Sequence, residues 1–518
     1  MRRAVALSLG LAVAASLALL PACGPRTAPA PAPAGPPRLL VVSSLIGYVE
    51  PCGCTVDLTL GGMDRLVAAV DAERQAGPTA VLVVGSTFFE KPFPDHRAGQ
   101  EQAKADLIAK ALRRAGVAAF APGPGDRAAG ADRFAELHRA LGAPDVTAAP
   151  ALLRVGDVAV GVLGLGPVDG EDGAAADPAP VQARAAALRA QGAHVVVALA
   201  ARSRRDVRRL ARGVPELDLW LLGEHPTEAG AASPAGEGYL IEAGDRGRNL
   251  GRVILHDAAA PGRLADPAGD AERARRALDG QIQMKARMLA LTKEPSLEQQ
   301  LAELRARQAA LAAPTDAGKR FEYALVPLPK AHPQDPEVKG WIAAYNQALQ
   351  ALNLANAGEV PPVPEGGQRY VGVAECEDCH PEAVEFWRTT RHARAWQTLV
   401  DDDKTFDAEC VGCHVVGWQQ PGGTVLGKTK GLEDVQCEAC HGPNQKHVEE
   451  GGAEHHTVRD PGEAGCVGCH HPHHSPKFDY ATYLEKILGP GHGKPVFAED
   501  RKPHKWSPPP LEAKPAAP

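Results

Sequence analysis

The chain has few aromatic residues, few methionines and no excess of basic charge. Its 518 residues include 6 Trp, 7 Tyr, 10 Phe and four Met, and the formal net charge is −7. Without a surplus of Lys and Arg the chain is not expected to be a general nucleic-acid binder. A hydrophobic content of 44% excludes full disorder, while 46 Pro and 54 Gly indicate long loops. The length predicts two or three domains.

The apolar run at residues 4–20 is short for a stable membrane span. It follows Met1-Arg2-Arg3 and leads into Leu20-Pro21-Ala22-Cys23, an order typical of an export signal over residues 1–23. The ending resembles a bacterial lipobox, which implies acylation of Cys23 and anchoring at a bacterial membrane, facing the periplasm or the exterior. The alternative is an uncleaved anchor helix. In both cases we expect the body outside the cytoplasm, with residues 24–37 as an Ala/Pro tether.

Residues 38–262 alternate between continuous apolar runs and stretches with helical periodicity. This alternation predicts an α/β domain whose sheet is covered on both faces. The runs expected to be buried strands are LLVVSS, AVLVVGS, VAVGVLGL, HVVVALA and LDLWLLG.

Residues 263–360 are expected to be a helical spacer with one short strand. The segment 266–313 is charged and helix-forming, and it is broken near Glu294-Pro295, which predicts a helical hairpin. FEYALVPLP predicts a strand and PEVKGWIAAYNQALQALNLA a helix. Residues 361–368 form a Pro/Gly linker, residues 369–504 a mostly irregular and α-helical domain, and residues 505–518 a Pro-rich tail.

Eight of the eleven cysteines form four CxxC pairs in the last third of the chain, each followed directly by a histidine. This is the attachment signature of c-type haem, because two thiols at this spacing can each bond a vinyl-derived carbon and the next His lies under the iron. Zinc or disulfide use is the alternative, but neither requires a His after every second Cys. We therefore expect four covalent haems and no other metal. The attachment residues are Cys376, Cys379, Cys410, Cys413, Cys437, Cys440, Cys466 and Cys469, and the proximal ligands are His380, His414, His441 and His470.

The second axial ligands are expected to come mainly from histidine. All four Met lie before residue 289, and the last domain has no spare Cys, which leaves imidazole. Two imidazole ligands give iron a lower potential than a His/Met pair, so low-potential electron transfer follows. The candidates are His392, His447, His455, His456, His471, His473, His474, His492 and His504.

Residues 370–493 resemble the tetrahaem cytochromes c that accept electrons from hydroxylamine oxidoreductase, and their multihaem relatives. The stretches that carry the resemblance are YVGVAECEDCH, FWRTTRHARAW, CVGCHVVGW, VQCEACHGPNQKH and CVGCHHPHHSPKF. The resemblance implies His392 and His447 as distal ligands. His492 is the third candidate, with His471, His473 or His474 behind it. Relatives can also leave one haem five-coordinate.

Residues 38–257 resemble the calcineurin-like metallophosphoesterases of the periplasmic nucleotidase type, through LLVVSSLIGYVEP, GGMDRLVAAV, VLVVGS and FAPGPGD. That family holds two divalent metals on Asp and His side chains after successive strands. Most of those positions carry other residues here: Ser44-Leu45-Ile46, Gly85-Ser86, Gly123-Pro124-Gly125-Asp126, Ala201 and Gly223-Glu224-His225-Pro226. Only Asp126, Glu224 and His225 retain side chains that could contact a metal, so we expect no phosphatase activity.

Cys52 and Cys54 follow the first predicted strand, in the loop where such folds place their active face. Outside the cytoplasm this pair could form an easily reduced disulfide or bind a soft metal. A structural disulfide or two idle thiols are the alternatives.

Together these patterns predict a lipid-anchored electron-transfer protein more readily than an enzyme. The rival functions are a haem reductase of a small nitrogen or sulfur compound, and a metal-dependent phosphatase or nucleotidase with an accessory cytochrome. Residues 361–518 hold 16 basic and 24 acidic side chains, a net charge of −8. A redox partner with a basic docking face is therefore expected.

Overall fold

The structure is a computed structural model that describes residues 35–51, 60–167, 177–224, 229–311, 318–452, 456–471, 475 and 477–492. Within these ranges the strands are β1 (Arg38–Ser43), β2 (Thr79–Gly85), β3 (Val117–Pro122), β4 (Ala151–Val155), β5 (Val158–Leu165), β6 (Val195–Ala200), β7 (Leu219–Leu222), β8 (Ser233–Ala235), β9 (Gly238–Ile241), β10 (Asn249–His256) and β11 (Arg320–Pro327). The first helices are α1 (Met63–Ala76), α2 (Asp95–Ala115), α3 (Ala131–Leu141), α4 (Ala179–Ala190), α5 (Arg204–Ala211), α6 (Pro267–Thr292), α7 (Pro295–Ala309) and α8 (Pro336–Ala355).

The strands form two mixed sheets. The second has antiparallel pairs at both edges, whereas the first has antiparallel pairs on the β11 side and a parallel edge strand, β3. The first sheet has the order β11-β10-β1-β2-β3, and the second has the order β4-β5-β6-β7-β9-β8. Strands β1, β2 and β3 run parallel, as do β5, β6, β7 and β9. The predicted α/β class is confirmed, and all five predicted strands are present.

The two sheets pack face to face, and helices cover their outer faces. Alternate residues of β1 show how this works: Leu39 and Val41 lie in the core between the sheets, whereas Leu40 and Val42 pack under α1, α2 and α8. Helices α4 and α5 cover the second sheet. Because both faces of each sheet are buried, the strands are continuously apolar rather than alternating.

Residues 263–360 are more than a spacer, which corrects the sequence-based prediction. The hairpin is present as α6 and α7, which contact each other and are joined at Lys293-Glu294. The predicted strand is β11, however, and it pairs antiparallel with β10 along its whole length. Helix α8 also packs on α1 and α2, with Val338 and Ile342 in the first core. The first domain therefore continues through α8.

The last domain consists of short helices joined by loops. They are α9 (Pro381–Thr389), α10 (Ala395–Asp401), α11 (Ala408–Val411), α12 (Cys437–His441), α13 (Gln445–Glu449), α14 (Ala464–Val467) and α15 (Tyr480–Leu484), with 3-10 turns at Val373–Cys376 and His392–Arg394. Its buried apolar cluster is small and consists of Leu399, Ala408, Val411, Val415, Trp418 and Leu426. So small a cluster is a weak core for more than a hundred residues. In the described part of the chain, no helix is both long and apolar enough to cross a bilayer.

Candidate haem-binding site

Each CxxCH motif forms a single tight turn of backbone. The amide of His380 donates to the carbonyl of Cys376 at 2.9 Å, and His470 donates to Cys466 at 2.8 Å. The third motif is itself the helix α12. In the second motif the His414 amide donates to Val411 at 2.9 Å. One helical turn places the two thiols on neighbouring positions with the histidine directly after them, as two thioether bonds and one axial ligand require.

Two proximal imidazoles are oriented by backbone carbonyls. Nδ1 of His441 lies 2.6 Å from the Val458 carbonyl, and Nδ1 of His414 lies against the Ala395 carbonyl. A carbonyl oxygen only accepts, so in each ring the proton is on Nδ1 and the lone pair is on Nε2. Nδ1 of His470 has the Ser475 hydroxyl as its partner at 3.0 Å. Nε2 is thus left available to iron.

Two pairs of histidine rings have the spacing of axial ligands. The ring centres of His380 and His447 are 6.3 Å apart with an interplanar angle of 17°, and those of His392 and His470 are 6.2 Å apart at 39°. Two imidazoles that each bind one iron at about 2 Å have ring centres about 6.3 Å apart. The residues therefore fit a haem iron between each pair, with His447 opposite the first motif and His392 opposite the fourth.

Burial favours the neutral form of three imidazoles in this domain, those of His392, His414 and His492. It lowers the pKa of His392 to about 4, assisted by the neighbouring His470. Burial also lowers the pKa of His414, although its bond to Ala395 acts in the opposite direction. The pKa of His492 is lowered by burial and then by His441. A neutral ring retains the lone pair that a metal needs.

His492 lies near the histidines of the third and first motifs, because both His441 and His380 lower its pKa. Among the residues that the structure describes, no aromatic or imidazole ring contacts His414. The roles of His392, His447 and His492 as ligands stay predictions, now with geometry that suits them.

The four motifs are brought together in two pairs by their cysteines. The thiols of Cys376 and Cys437 interact, which raises the pKa of Cys376 and lowers that of Cys437, so the first motif lies beside the third. Cys413 likewise lowers the pKa of Cys469, so the second motif lies beside the fourth. None of these eight cysteines, all of which the structure describes, forms a disulfide. This arrangement places the attachment points of paired motifs side by side, so that haems bound to them would be neighbours.

The positions of the phosphoesterase motifs lie together at one edge of the first domain, where β1, β2, β3, β6 and β7 end. Hydrogen bonds within the protein occupy their polar groups. Ser44 Oγ donates to the Gly223 carbonyl at 3.0 Å, and Ser86 Oγ accepts from the Gly125 amide at 3.0 Å. Glu224 accepts from the Arg204 amide at 2.8 Å. The described residues contain no group of three His, Cys, Asp or Glu that could hold a metal ion.

Asp126 is a buried backbone cap. Its Oδ1 accepts from the amides of Thr87 and Phe88 at 2.7 and 2.8 Å, and its Oδ2 accepts from the Gly123 amide at 2.9 Å. Burial raises the pKa of Asp126 to about 7 against the effect of these three donors. The carboxylate thus ties the loop after β2 to the loop after β3.

The same edge is closed by direct contact between backbones. A Cβ on Gly85, where φ is +88°, would lie 2.3 Å from the Gly223 carbonyl oxygen. A Cβ on Gly223 would lie 2.6 Å from the Gly85 nitrogen, and one on Gly123 would lie 2.2 Å from the Ser86 nitrogen. Glycine is required here because the loops approach each other too closely for any side chain.

Several predicted site residues lie outside the described residues. They are Cys23, Cys52, Cys54 and His225, together with His455, His473, His474 and His504. Their predicted roles are neither confirmed nor contradicted.

The sequence analysis missed a polar contact between the two domains. Gln100 on α2 and Asn353 on α8 bond to the segment that leads into the second CxxCH motif. Glutamine and asparagine within amphipathic helices carry no recognisable signal. The available signal is the number of polar residues on α2 that lie on its buried face, which indicates that another part of the chain packs against that face.

Residues 375–442 match the family model described as cytochrome c554 and c-prime. A stretch of 92 residues, 15% of this chain, is 35% identical to cytochrome c-554 of Nitrosomonas europaea. The C-terminal domain is similar to cytochrome c-554. The match covers 39% of that relative's length. The reduced cytochrome c554 structure from the same organism is 28% identical over 20% of this chain and 65% of that chain, with a TM-score of 0.17.

The first domain resembles nucleotidase structures at low identity. A 5'-nucleotidase precursor from Thermus thermophilus has 17% identity and a TM-score of 0.43, over 61% of this chain and 59% of that chain. The calcineurin-like phosphoesterase YfkN from Bacillus subtilis has 13% identity and a TM-score of 0.39, over 62% of this chain and 98% of that chain. A domain similar to cytochrome c-554 is thus joined to an α/β domain of two packed sheets.

Proposed function

We propose that the protein is an exported, lipid-anchored tetrahaem c-type cytochrome that transfers electrons, joined to a phosphoesterase-like domain without hydrolytic activity. The observation that carries this proposal is the pair of histidine ring spacings, 6.3 Å for His380 and His447 and 6.2 Å for His392 and His470. Each spacing leaves room for one iron between two imidazoles. Both pairs include the histidine of a CxxCH motif.

The chain's own residues would bind, orient and enclose the haems, which when bound supply reversible one-electron chemistry at iron. The eight cysteines of the motifs would hold the macrocycles covalently. Around the fourth motif, the Phe478 ring stacks at 5.1 Å on His470 and the Tyr483 ring packs edge-on at 5.3 Å. These rings fix the imidazole and exclude water from it. The small apolar cluster of this domain supports macrocycles as the rest of its core.

Covalent haem content is the direct test. A pyridine haemochrome assay on the purified protein, combined with intact mass, should give four haems per chain. Replacing both cysteines of one motif should lower the count to three. A colourless protein, or one with zinc in place of iron, would overturn the proposal.

The first motif offers a docking face for a basic partner. Cys379 is exposed, and four exposed carboxylates surround it in sequence: Glu375, Asp378, Glu382 and Glu385. We expect electron transfer to a small basic c-type cytochrome to slow as salt rises, because screening weakens electrostatic steering. Glu382→Gln combined with Glu385→Gln should slow it at low salt, whereas Glu298→Gln on α7 should not.

A haem reductase is the second candidate, favoured by the surroundings of His414. No imidazole among the described residues is in contact with that ring. A haem with an open position could bind a small nitrogen or sulfur compound. Carbon monoxide binding and a high-spin ferric signal for one haem of four would support it, and an entirely low-spin, CO-insensitive spectrum would exclude it.

The absence of phosphoesterase activity is supported by the internal bonds of Asp126 and Glu224 and by the Gly85–Gly223 contact. Assays with p-nitrophenyl phosphate and adenosine monophosphate, with Mn²⁺ or Zn²⁺ added, should show no turnover above buffer. Metal-dependent turnover that is lost in Asp126→Asn or His225→Ala would overturn this part of the proposal.

The membrane anchor is supported by the order of the first 23 residues. We expect the mature protein to pellet with membranes and to carry a lipid mass at its N-terminus. Cys23→Ala should abolish the lipid mass. Pelleting without lipid in that variant would instead support the uncleaved helix.

A further inference from the structure

A cluster of four charged side chains, three of them buried, joins the first domain to the second CxxCH motif. Helix α2 contributes Arg97, Glu101 and Lys104, and the last domain contributes Glu409, the residue directly before Cys410. Lys104 Nζ lies 2.8 Å from Glu409, and Arg97 lies 2.6 Å from the same carboxylate. Lys104 also bonds Glu101 at 3.1 Å. The Lys104 side chain is only 7% exposed, and Glu409 is 34% exposed.

A second set of contacts fixes the helix that begins this motif. Gln100, which is fully buried, donates to the Asp407 carboxylate at 2.6 Å and accepts from the Ala408 amide at 3.1 Å. Asp407 is the N-cap of α11, where it accepts from the Glu409 amide at 3.0 Å. Asn353 on α8 donates to Gln100 at 2.7 Å. The turn that carries Cys410 is thus positioned by side chains of the other domain.

A third contact anchors the same segment. Lys404 donates to the Asn346 side chain at 3.0 Å and forms an ion pair with Glu50. Together the three sets span α2, α8 and the end of the described segment after β1. Docking through so many buried polar groups requires a fixed arrangement of the two domains, because each group would lose its partner if they separated.

The cluster balances its charges across the domain boundary. On α2, the positive charges of Arg97 and Lys104 exceed the one negative charge of Glu101. Glu409 supplies the second negative charge, so the four side chains are neutral together. Although burial works to lower it, Glu409 and Glu101 raise the pKa of Lys104 above its ordinary value, so this residue stays protonated.

We propose that the first domain is an electrostatic part of the cytochrome, in which Arg97 and Lys104 neutralise Glu409 and thereby raise the reduction potential of the haem bound at Cys410 and Cys413. Reduction would add one electron, and no proton, to the haem iron. An uncompensated negative charge nearby therefore disfavours reduction, and a positive charge favours it. The inference rests on the proposed function, because it requires a haem at the second motif. Arg97 and Lys104 would act on that haem through Glu409.

The test is a spectroelectrochemical titration of the full-length haem-loaded protein. Lys104→Met leaves the cluster with one net negative charge, and Glu409→Gln leaves it with one net positive charge. We expect one haem of four to change in each variant, with the ratio of reduced to oxidised haem at a fixed ambient potential lowered severalfold in the first and raised severalfold in the second. A tenfold change corresponds to about 59 mV for a one-electron couple.

Two further variants separate charge from structure. The double variant Lys104→Met with Glu409→Gln is neutral, so its potential should return toward that of the unmodified protein even though the ion pairs of Lys104 and Glu409 are lost and only the Arg97–Glu101 pair remains. Lys110→Met, which removes an exposed cation from the same helix, should leave all four potentials unchanged. Equal potentials in all variants, or shifts of the same sign in both single variants, would overturn the inference. A protein without covalent haem would instead overturn the proposed function.

Discussion

Gln100 and Ala408 are 308 residues apart in sequence, and the Gln100 side-chain oxygen accepts a hydrogen bond from the Ala408 amide at 3.1 Å. The same Gln100 side chain donates to Asp407 at 2.6 Å. One buried glutamine of the α/β domain therefore satisfies both the cap and the first amide of a haem-attachment helix. These hydrogen bonds join the two domains at the second motif.

Replacing Asn353 should weaken the docking of the two domains. Asn353 is 1% exposed, and its side-chain nitrogen donates to Gln100 at 2.7 Å and to the Phe406 carbonyl at 2.6 Å. Asn353→Ala leaves both acceptors buried without that donor, so we expect a loss of about 2–3 kcal/mol in the free energy of unfolding. Urea unfolding followed by circular dichroism and by Soret absorbance should then show two separate transitions.

The matched control for this variant is Asn356→Ala in the turn that follows the same helix. The Asn356 side chain is exposed and donates to the Leu352 carbonyl. Its replacement should change the free energy of unfolding by less than about 0.5 kcal/mol. Equal effects of the two substitutions would contradict the importance of the buried contact.

Removal of His447 should open one axial position. In His447→Ala, the imidazole whose ring centre lies 6.3 Å from that of His380 is absent, so a haem at the first motif would lose its second axial ligand. We expect one additional high-spin haem in the ferric electron paramagnetic resonance spectrum, and one additional equivalent of carbon monoxide bound after reduction. His332→Ala, which removes a ring of the first domain whose Nδ1 lies 3.0 Å from the Pro333 carbonyl, should change neither. An unchanged spectrum for His447→Ala would exclude it as a ligand.

The stability of the first domain should depend on pH through Asp126. Burial raises its pKa to about 7 in the folded state, above the value of about 3.9 in the unfolded chain. The folded state therefore binds the proton more tightly, so this contribution to stability is fully present below about pH 4 and is lost as the pH rises through 7. The slope within that window is at most about 1.4 kcal/mol per pH unit.

Asp126→Asn removes the titrating group, so comparison of this variant with the unmodified protein isolates the contribution of Asp126 to the pH dependence. In thermal unfolding between pH 5 and pH 8, the stability difference between the unmodified protein and the variant should shrink as the pH rises. Asp157→Asn, at an exposed position, should leave the difference constant. If the Asp126→Asn difference also stays constant, the carboxyl group does not titrate in this range.

A methyl group on Gly223 should destabilise the edge where phosphoesterases hold their metals. Its Cβ would lie 2.6 Å from the nitrogen and 2.7 Å from the Cα of Gly85, so backbone atoms must shift. We expect Gly223→Ala to cost about 2 kcal/mol or more in urea unfolding. Gly230→Ala, whose Cβ would meet nothing within 4 Å, should be close to neutral. Similar stabilities for the two variants would show that the loops at Gly85 and Gly223 can accommodate an added methyl group.

Some features could be predicted because their signals are local. The five strand signals appear in the structure, since a strand buried on both faces must be continuously apolar. The break at Glu294-Pro295 is also present, because proline is favoured in the first turn of a helix. The short strand at FEYALVPLP was likewise recognisable, but its partner β10 lies more than sixty residues earlier. Nothing in its own residues indicated that it completes the first sheet.

The residues alone determined the chemistry that this protein can carry. Four CxxCH turns predict thioether attachment and one axial ligand each, because both depend on atoms within five consecutive residues. The tertiary structure alone decided which histidine rings lie near each other, which loops meet at Gly85 and Gly223, and which helix pairs with Glu409. Those relationships join residues far apart in sequence, and distance and charge balance between such residues arise only when the chain packs.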